Sequence, residues 1–117
     1  VTAFAKLGLG DAQAILEKSA GKQAVEITGP LSRRGVVESF LPVYPDWAKR
    51  KGVEANVSIR LFVAPDGAVR EKMTVEQTSG YRELDRLAME ALRRWRFEPV
   101  AGGGDQWGIV TFRFRLQ

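Results

Sequence analysis

The sequence predicts an α+β domain in which two helices pack on one face of a three-stranded antiparallel sheet. Residues 53–63 and 107–116 alternate between apolar and polar side chains, which is the period of a strand. Residues 84–95 instead carry apolar side chains at every third or fourth position, as one face of a helix does. A chain of 117 residues, 44% of them hydrophobic, is long enough for a single core of this kind.

An N-terminal extension is predicted to precede this domain, with the boundary between residues 1–41 and residues 42–117. Asp11 can cap a short helix over residues 11–20, which a glycine then ends. The chain begins at Val1, and its first apolar stretch, Val1 to Leu9, lacks the basic region and the cleavage-type sequence of a secretion signal. We therefore expect it to be a fragment of a longer protein, in which a membrane anchor could lie upstream.

A short strand is predicted over residues 24–28, where Val25 and Ile27 alternate with Glu26 before a Gly-Pro turn. This strand could pair with the sheet, pack at the sheet edge or exchange between two copies of the chain in a homodimer. Residues 33–41 fit a helical turn and an extended segment equally well, so the sequence leaves their conformation open.

The domain itself is predicted to begin with a helix from Pro45 to Lys51, because proline suits the first position of a helix. Trp47 and Ala48 are expected to face the core from this helix. The alternating strand of residues 53–63 follows directly. Its length and apolar face predict that it belongs to the sheet.

A hairpin is predicted next, because Pro65-Asp66-Gly67 has the residues of a tight turn. Proline presets the backbone angle of the turn, and glycine accepts the left-handed conformation. The return strand is expected to direct three apolar side chains toward the core. They belong to Val69, Met73 and Val75.

The main helix is predicted to start at Ser79-Gly80 and to run to Trp95, ahead of Pro99. Burial of each leucine on its apolar face contributes about 1.5 to 3 kcal/mol. Each opposite-charge pair on its other face contributes only about 0.2 to 0.5 kcal/mol. Packing therefore holds this helix in place, and the chain then leads through a glycine loop to the last strand, Trp107 to Leu116.

The absence of Cys and His excludes thiol and imidazole catalysis, disulfides and the usual zinc ligands. The clustered acids are Glu83, Asp85 and Glu90, which lie among arginines on the predicted solvent face of the main helix. We therefore expect no catalytic residues, no metal site and no cofactor.

The net charge of +4 arises after residue 32, with arginines clustered at residues 93–96 and again at residues 113–115. Such clusters beside aromatic residues are typical of nucleic-acid-binding domains. Cations at the C-terminal end of a helix also interact favourably with the helix dipole, which explains residues 93–96 without a ligand. A basic nucleic-acid-binding domain is the less favoured alternative, and we expect no nucleic-acid partner.

Short motifs follow one another over residues 42–117: Tyr44-Pro45, the Asp66-Gly67 turn, Ser79-Gly80-Tyr81 with Leu84-Asp85, and Trp95-Arg96-Phe97-Glu98-Pro99. In order and spacing they resemble the C-terminal domain of TonB. Each motif is weak alone, and their succession is what makes the resemblance specific. We assign structural roles to the motif residues, which are Tyr44, Pro45, Gly67, Ser79, Gly80, Tyr81, Leu84, Asp85, Trp95, Phe97 and Pro99.

The resemblance implies a periplasmic, non-enzymatic interaction module, attached to the inner membrane through an upstream segment. In TonB-like proteins, motor proteins of the inner membrane use the proton gradient to drive that segment. The C-terminal domain then engages an outer-membrane transporter and transmits energy to it. The same module could instead serve another trans-envelope machine, for motility or secretion.

The resemblance also implies a binding mode, in which a partner peptide called the Ton box adds as a strand to the exposed edge of the last strand. Unpaired backbone groups on a strand edge give affinity with little demand on sequence. Without the resemblance, the charged residues there are ordinary edge residues that limit aggregation. The implied binding residues are Trp107, Gly108, Ile109, Val110, Thr111, Phe112, Arg113 and Arg115.

Overall fold

The computed structural model describes residues 23–116, so the predicted helix over residues 11–20 lies outside the described residues. A 3-10 turn, Pro30–Arg33, follows the first strand. The strands and helices are β1 (Gln23–Thr28), β2 (Val36–Glu38), α1 (Asp46–Arg50), β3 (Ala55–Val63), β4 (Thr74–Gln77), α2 (Arg82–Arg93), β5 (Arg96–Phe97) and β6 (Gln106–Phe114).

The main sheet has the strand order β1-β6-β3-β4, and every neighbouring pair is antiparallel. Strands β2 and β5 form a separate two-stranded sheet. The predicted class, α+β with two helices against an antiparallel sheet, is confirmed. The strand count differs from the prediction, because β1 joins the main sheet as a fourth strand.

The core lies between the main sheet and the two helices. Alternate residues of β3 and β6 point into it, and the buried side of α2 covers them. Trp95 follows α2 and is 1% exposed, with its ring edge-on to Phe112 at 6.2 Å. Ala48 of α1 is fully buried and Trp47 only partly so. No helix in residues 23–116 has the length and apolarity that crossing a membrane requires.

The return strand of the hairpin is shorter than predicted. It pairs once near the turn, at Val63 and Val69, and resumes only where Arg60 faces Thr74. Between these two pairs the return segment has four residues and β3 has two. Such an insertion interrupts the hydrogen-bond ladder between the two strands. Met73 consequently precedes β4 instead of lying within it.

Candidate partner-binding edge

The predicted binding residues from Trp107 to Arg113 all lie in β6, and Arg115 follows it. Val110 and Phe112 are buried on the inner face. Thr111 and Arg113 are half-exposed on the opposite face of the sheet. The strand therefore has the alternation that the sequence predicts.

Both edges of β6 are occupied, so the expectation that the last strand has an exposed edge is wrong for this structure. Strand β3 pairs along all of β6, from Ala55 opposite Phe114 to Val63 opposite Gln106. Strand β1 pairs along the other edge, from Gln23 opposite Phe114 to Thr28 opposite Ile109. Alternation shows which face of a strand is apolar, but it carries no information on which strands lie beside it.

The 3-10 turn covers the part of the β6 edge that does not pair with β1. Gly108 is buried against Leu31, and a Cβ atom at Gly108 would lie 2.7 Å from Leu31 Cβ. The neighbouring Trp107 is 38% exposed, and the guanidinium of Arg60 lies 5.1 Å from the centroid of its ring. A Cβ atom at Gly29 would come within 2.9 Å of the same ring. The edge is thus closely covered from Trp107 to Phe114.

One ion pair and two side-chain hydrogen bonds connect residues 111–115 to the neighbouring strands. Nη2 of Arg113 lies 2.5 Å from Oε1 of Glu26 in β1. Thr111 shares a hydrogen bond of 2.7 Å with the Ser58 hydroxyl of β3. Arg115 Nη2 donates to Asn56 Oδ1 at 2.8 Å. Both arginines of the predicted site therefore have partners within the chain.

Arg34 is a buried cation that the sequence did not reveal. It is 5% exposed, and Nη2 donates to the carbonyls of Ala64 and Pro65 at 2.9 and 3.0 Å. Its Nε donates to Glu98 O at 2.7 Å and its Nη1 to Gln106 Oε1 at 3.1 Å. Burial lowers the pKa of this guanidinium, an effect that the nearby Asp66 carboxylate opposes. The side chain joins the hairpin turn to the segments that flank the glycine loop.

Asp85 organises the start of α2, which begins at Arg82 and not at Ser79. Its carboxylate accepts hydrogen bonds from the backbone N–H of Ser79 at 2.9 Å and from the Ser79 hydroxyl at 2.7 Å. The Thr78 hydroxyl donates to it as well, at 2.5 Å. The motif residues Ser79 and Asp85 therefore fix the loop to the first turn of the helix.

Tyr44 joins the segment before α1 to the start of β3. Its hydroxyl donates to Val53 O at 2.5 Å, and its ring packs edge-on against Phe114 at 5.4 Å. Burial raises the pKa of Tyr44, and the Glu54 carboxylate raises it further, while Arg115 opposes both. Tyr44 is a buried structural residue at the end of the sheet.

The clustered acids of α2 are engaged in structural contacts. Glu83 accepts a hydrogen bond from Trp47 Nε1 at 3.1 Å, and Glu90 pairs with Arg86 at 2.6 Å. Within residues 23–116, no three His, Cys, Asp or Glu side chains come together as a metal site. The arginines of residues 93–96 surround a buried Trp95, so this indole is not available to stack on a base.

Residues 41–116 match the family described as the C-terminal domain of the Gram-negative bacterial TonB protein. The chain belongs to this family. Protein tonB2 of Pseudomonas aeruginosa is 34% identical over 90 residues, which are 74% of this chain and 33% of that protein. Protein TonB of Escherichia coli K12 is 33% identical over 70 residues, which are 60% of this chain and 28% of that protein. The chain thus spans about a third or less of these relatives.

Solved structures of the family have the same fold. The solution structure of the Pseudomonas aeruginosa TonB C-terminal domain aligns with a TM-score of 0.59 and 28% identity, over 72% of this chain and 87% of that one. The structure of TonB2 from Vibrio anguillarum aligns with a TM-score of 0.52 and 29% identity, over 77% and 82% of the two chains. The predicted family is confirmed, and its members are interaction modules, not enzymes.

Proposed function

We propose that this TonB-family domain is the partner-binding end of an energy transducer in the periplasm. It binds an extended peptide segment of an outer-membrane protein as an antiparallel strand along β6, from Trp107 to Phe114, with Arg115 beside it. The observation that supports this proposal is that the β6 edge opposite β3 accepts an antiparallel strand over six residues, Gln23 to Thr28. A partner peptide takes the place that β1 occupies.

The strength of such binding suits a transducer that engages and releases its partner. Strand addition makes about one backbone hydrogen bond for each residue paired, and each contributes about 0.5 to 1.5 kcal/mol. Six bonds would contribute about 3 to 9 kcal/mol before the cost of ordering the peptide. The peptide must also displace β1, which lowers its net affinity further. Moderate, reversible binding is the expected regime.

A chemical-shift titration of the ¹⁵N-labelled 117-residue chain with N-terminal peptides of candidate outer-membrane transporters tests this proposal. We expect the amides of residues 106–115 and of β1 to shift together, because the peptide replaces one strand by another. The matched control is the same peptide with a central proline, which lacks one N–H and interrupts the ladder.

The pattern of shifts separates strand addition at β6 from addition elsewhere. Shifts confined to Thr74–Gln77 would place the peptide on the outer edge of β4, whose one strand partner in the described part of the chain is β3. Shifts of β1 without β6 would place it on the outer edge of β1. Either pattern, or equal binding of the proline peptide, contradicts addition at β6.

The link to membrane energy belongs to the part of the protein that this chain does not include. We propose an upstream segment that anchors the protein in the inner membrane and contacts proton-driven motor proteins there. A reporter enzyme that is active only in the periplasm, fused after Gln117 of this domain within the full-length protein, is expected to be active. An upstream sequence without a membrane helix would favour a motility or secretion machine with a different arrangement.

A further inference from the structure

Strand β1 has the position and contacts of a ligand of β6. It pairs with β6 and with no other strand in residues 23–116, and its pairing is antiparallel and free of register shifts. A glycine with φ of +84° at Gly29 then turns the chain away from the sheet. Strand β3, in contrast, is held between two neighbours. Strand β1 can therefore separate from the sheet without breaking any other strand pair.

We infer that β1 is an internal ligand of the β6 edge, and that a partner segment replacing it carries the same pattern, a carboxylate between two apolar residues. This inference rests on the proposed function, since it specifies the kind of peptide that the proposed edge accepts. Three features of the contact between β1 and β6 support it.

The first feature is the apolar cover over the inner face of β6. Val25 is 1% exposed and lies opposite Phe112, and Ile27 lies opposite Val110 and packs against the core. When β1 leaves, both β6 side chains lose this cover. A replacing segment therefore needs apolar side chains at the same two positions, because otherwise the inner face of β6 stays open to water.

The second feature is the charge on the outer face. Glu26 lies opposite Thr111, and its carboxylate pairs with Arg113 at 2.5 Å. Arg115, two residues further along, donates instead to Asn56 of β3 on the other side of β6, so Arg113 is the cation that faces a segment bound here. The pair is partly exposed, with side-chain exposures of 35% and 44%, so its effect on affinity is modest. It favours an acidic residue over a basic one at the central position.

The third feature is the covalent connection of β1 to the domain. A tethered strand competes with a free peptide at an effective concentration in the millimolar range. The apparent affinity for a partner is therefore the intrinsic affinity multiplied by the fraction of molecules in which β1 is unpaired. A partner segment therefore displaces β1 only if its affinity for β6 or its local concentration is high enough to compete with the tethered strand.

A reversible cross-link between β1 and β6 tests this inference. Thr28 and Ile109 lie directly opposite one another, and the chain contains no native cysteine. The Cα atoms of opposite residues lie about 4.5 to 5.5 Å apart, within the range that a disulfide spans. The double variant Thr28→Cys, Ile109→Cys locks β1 when it is oxidised and releases it when it is reduced. Ile109→Cys alone, treated identically, is the control, because it carries the same change in the binding strand.

The probes are two synthetic peptides. One has the chain's own sequence for residues 22–29, KQAVEITG, and the other, KQAVKITG, replaces the glutamate by lysine. We expect KQAVEITG to shift residues 106–115 of the reduced double variant at peptide concentrations of about 1 mM, the order of the effective concentration of β1. Oxidation should abolish these shifts, and the single variant should bind in both conditions. KQAVKITG should bind about two- to fivefold more weakly.

A second variant keeps the test informative if the double variant does not fold. Glu26→Lys weakens β1 while leaving Arg113 free for the added peptide. We expect this variant to bind KQAVEITG about two- to fivefold more tightly than the parent chain does. Unchanged affinity would contradict the role of the ion pair.

Three outcomes overturn the inference. Equal binding in the oxidised and reduced states means that β1 does not occupy the peptide site. No binding of KQAVEITG to the reduced chain means that β1 is a permanent strand. Equal affinity for the two peptides removes the carboxylate from the pattern. The proposed function fails separately if KQAVEITG binds at β6 and no transporter peptide does.

Discussion

Single polar side chains fasten the loops of this domain by bonding to backbone groups. Arg34 donates to three carbonyls, Tyr44 to one, and Trp95 Nε1 to Phe40 O at 2.9 Å. Asp85 accepts from the backbone N–H of Ser79. Buried backbone groups in irregular segments need such partners, because they have no ladder or helix to satisfy them. These single side chains therefore fix the geometry of the loops.

Substitution of Arg34 by alanine is expected to destabilise the domain by about 3 kcal/mol, because it removes charged hydrogen bonds and leaves buried carbonyls without a donor. The neighbouring Arg33 is exposed and provides the matched control. Arg33→Ala should change the free energy of unfolding by no more than about 0.5 kcal/mol. Urea denaturation of the two variants measures the difference, and similar losses would contradict the structural role of Arg34.

Tyr44 should make stability depend on pH in the alkaline range. Burial raises its pKa above the ordinary value of about 10, so the folded state favours the protonated phenol. The stabilisation is complete below the pKa of the unfolded chain and decreases as the pH rises through the higher pKa of the folded chain. Comparison with Tyr44→Phe isolates this contribution.

The variant Tyr44→Phe should be about 1 kcal/mol less stable than the parent at pH 7, because it lacks the hydrogen bond to Val53 O. This difference should shrink as the pH is raised above about 10, where the parent ionises and the variant does not. Thermal unfolding at several pH values measures it. A difference that grows at alkaline pH would contradict a raised pKa.

Several elements are too short to persist without their neighbours. Helix α1 has 5 residues and β5 has 2, well below the length at which isolated elements form. The hairpin turn meets β5 at Gly67, whose carbonyl accepts from Phe97 N at 2.9 Å. A Cβ atom at Gly67 would lie 2.0 Å from Phe97 O. Docking of the turn on β5 thus holds both in place.

Gly67→Ala and Gly52→Ala form a matched pair that measures this docking. Both glycines have positive φ, +97° and +69°, but a Cβ atom at Gly52 meets nothing within 4 Å. Gly52→Ala should therefore cost only the backbone strain, about 1 kcal/mol. Gly67→Ala should cost at least about 2 kcal/mol more, because the turn must move away from Phe97. Equal costs in chemical denaturation would show that the close approach is unimportant.

The whole sheet divides into central strands and edge strands. Strands β3 and β6 are central, whereas β1 and β4 each pair on one side only within residues 23–116. All four residues of β4 are exposed, and β1 is fixed by a partly exposed ion pair and by its buried Val25. Local opening generally begins at elements with few buried contacts. We therefore expect the edge strands to open before the core does.

Hydrogen exchange measured by mass spectrometry should reveal this order. We expect the amides of β1 to exchange at least about tenfold faster than those of β3, because β1 opens locally while β3 requires global unfolding. The amides of β4 provide an internal comparison, since β4 is the other edge. Equal protection of β1 and β3 would make β1 part of the stable core and would contradict its exchange with a peptide.

The sequence by itself determined the fold class, the inner faces of β3 and β6 and the family, because periodic apolar residues and turn residues are local signals. The placement of β1 on the edge of β6 was decided only by the tertiary structure. Strand pairing uses backbone groups that every residue has, so several neighbours were compatible with the same alternation. Arg34 and Arg33 are likewise identical in chemistry, and only the folded chain buries one of them against carbonyls.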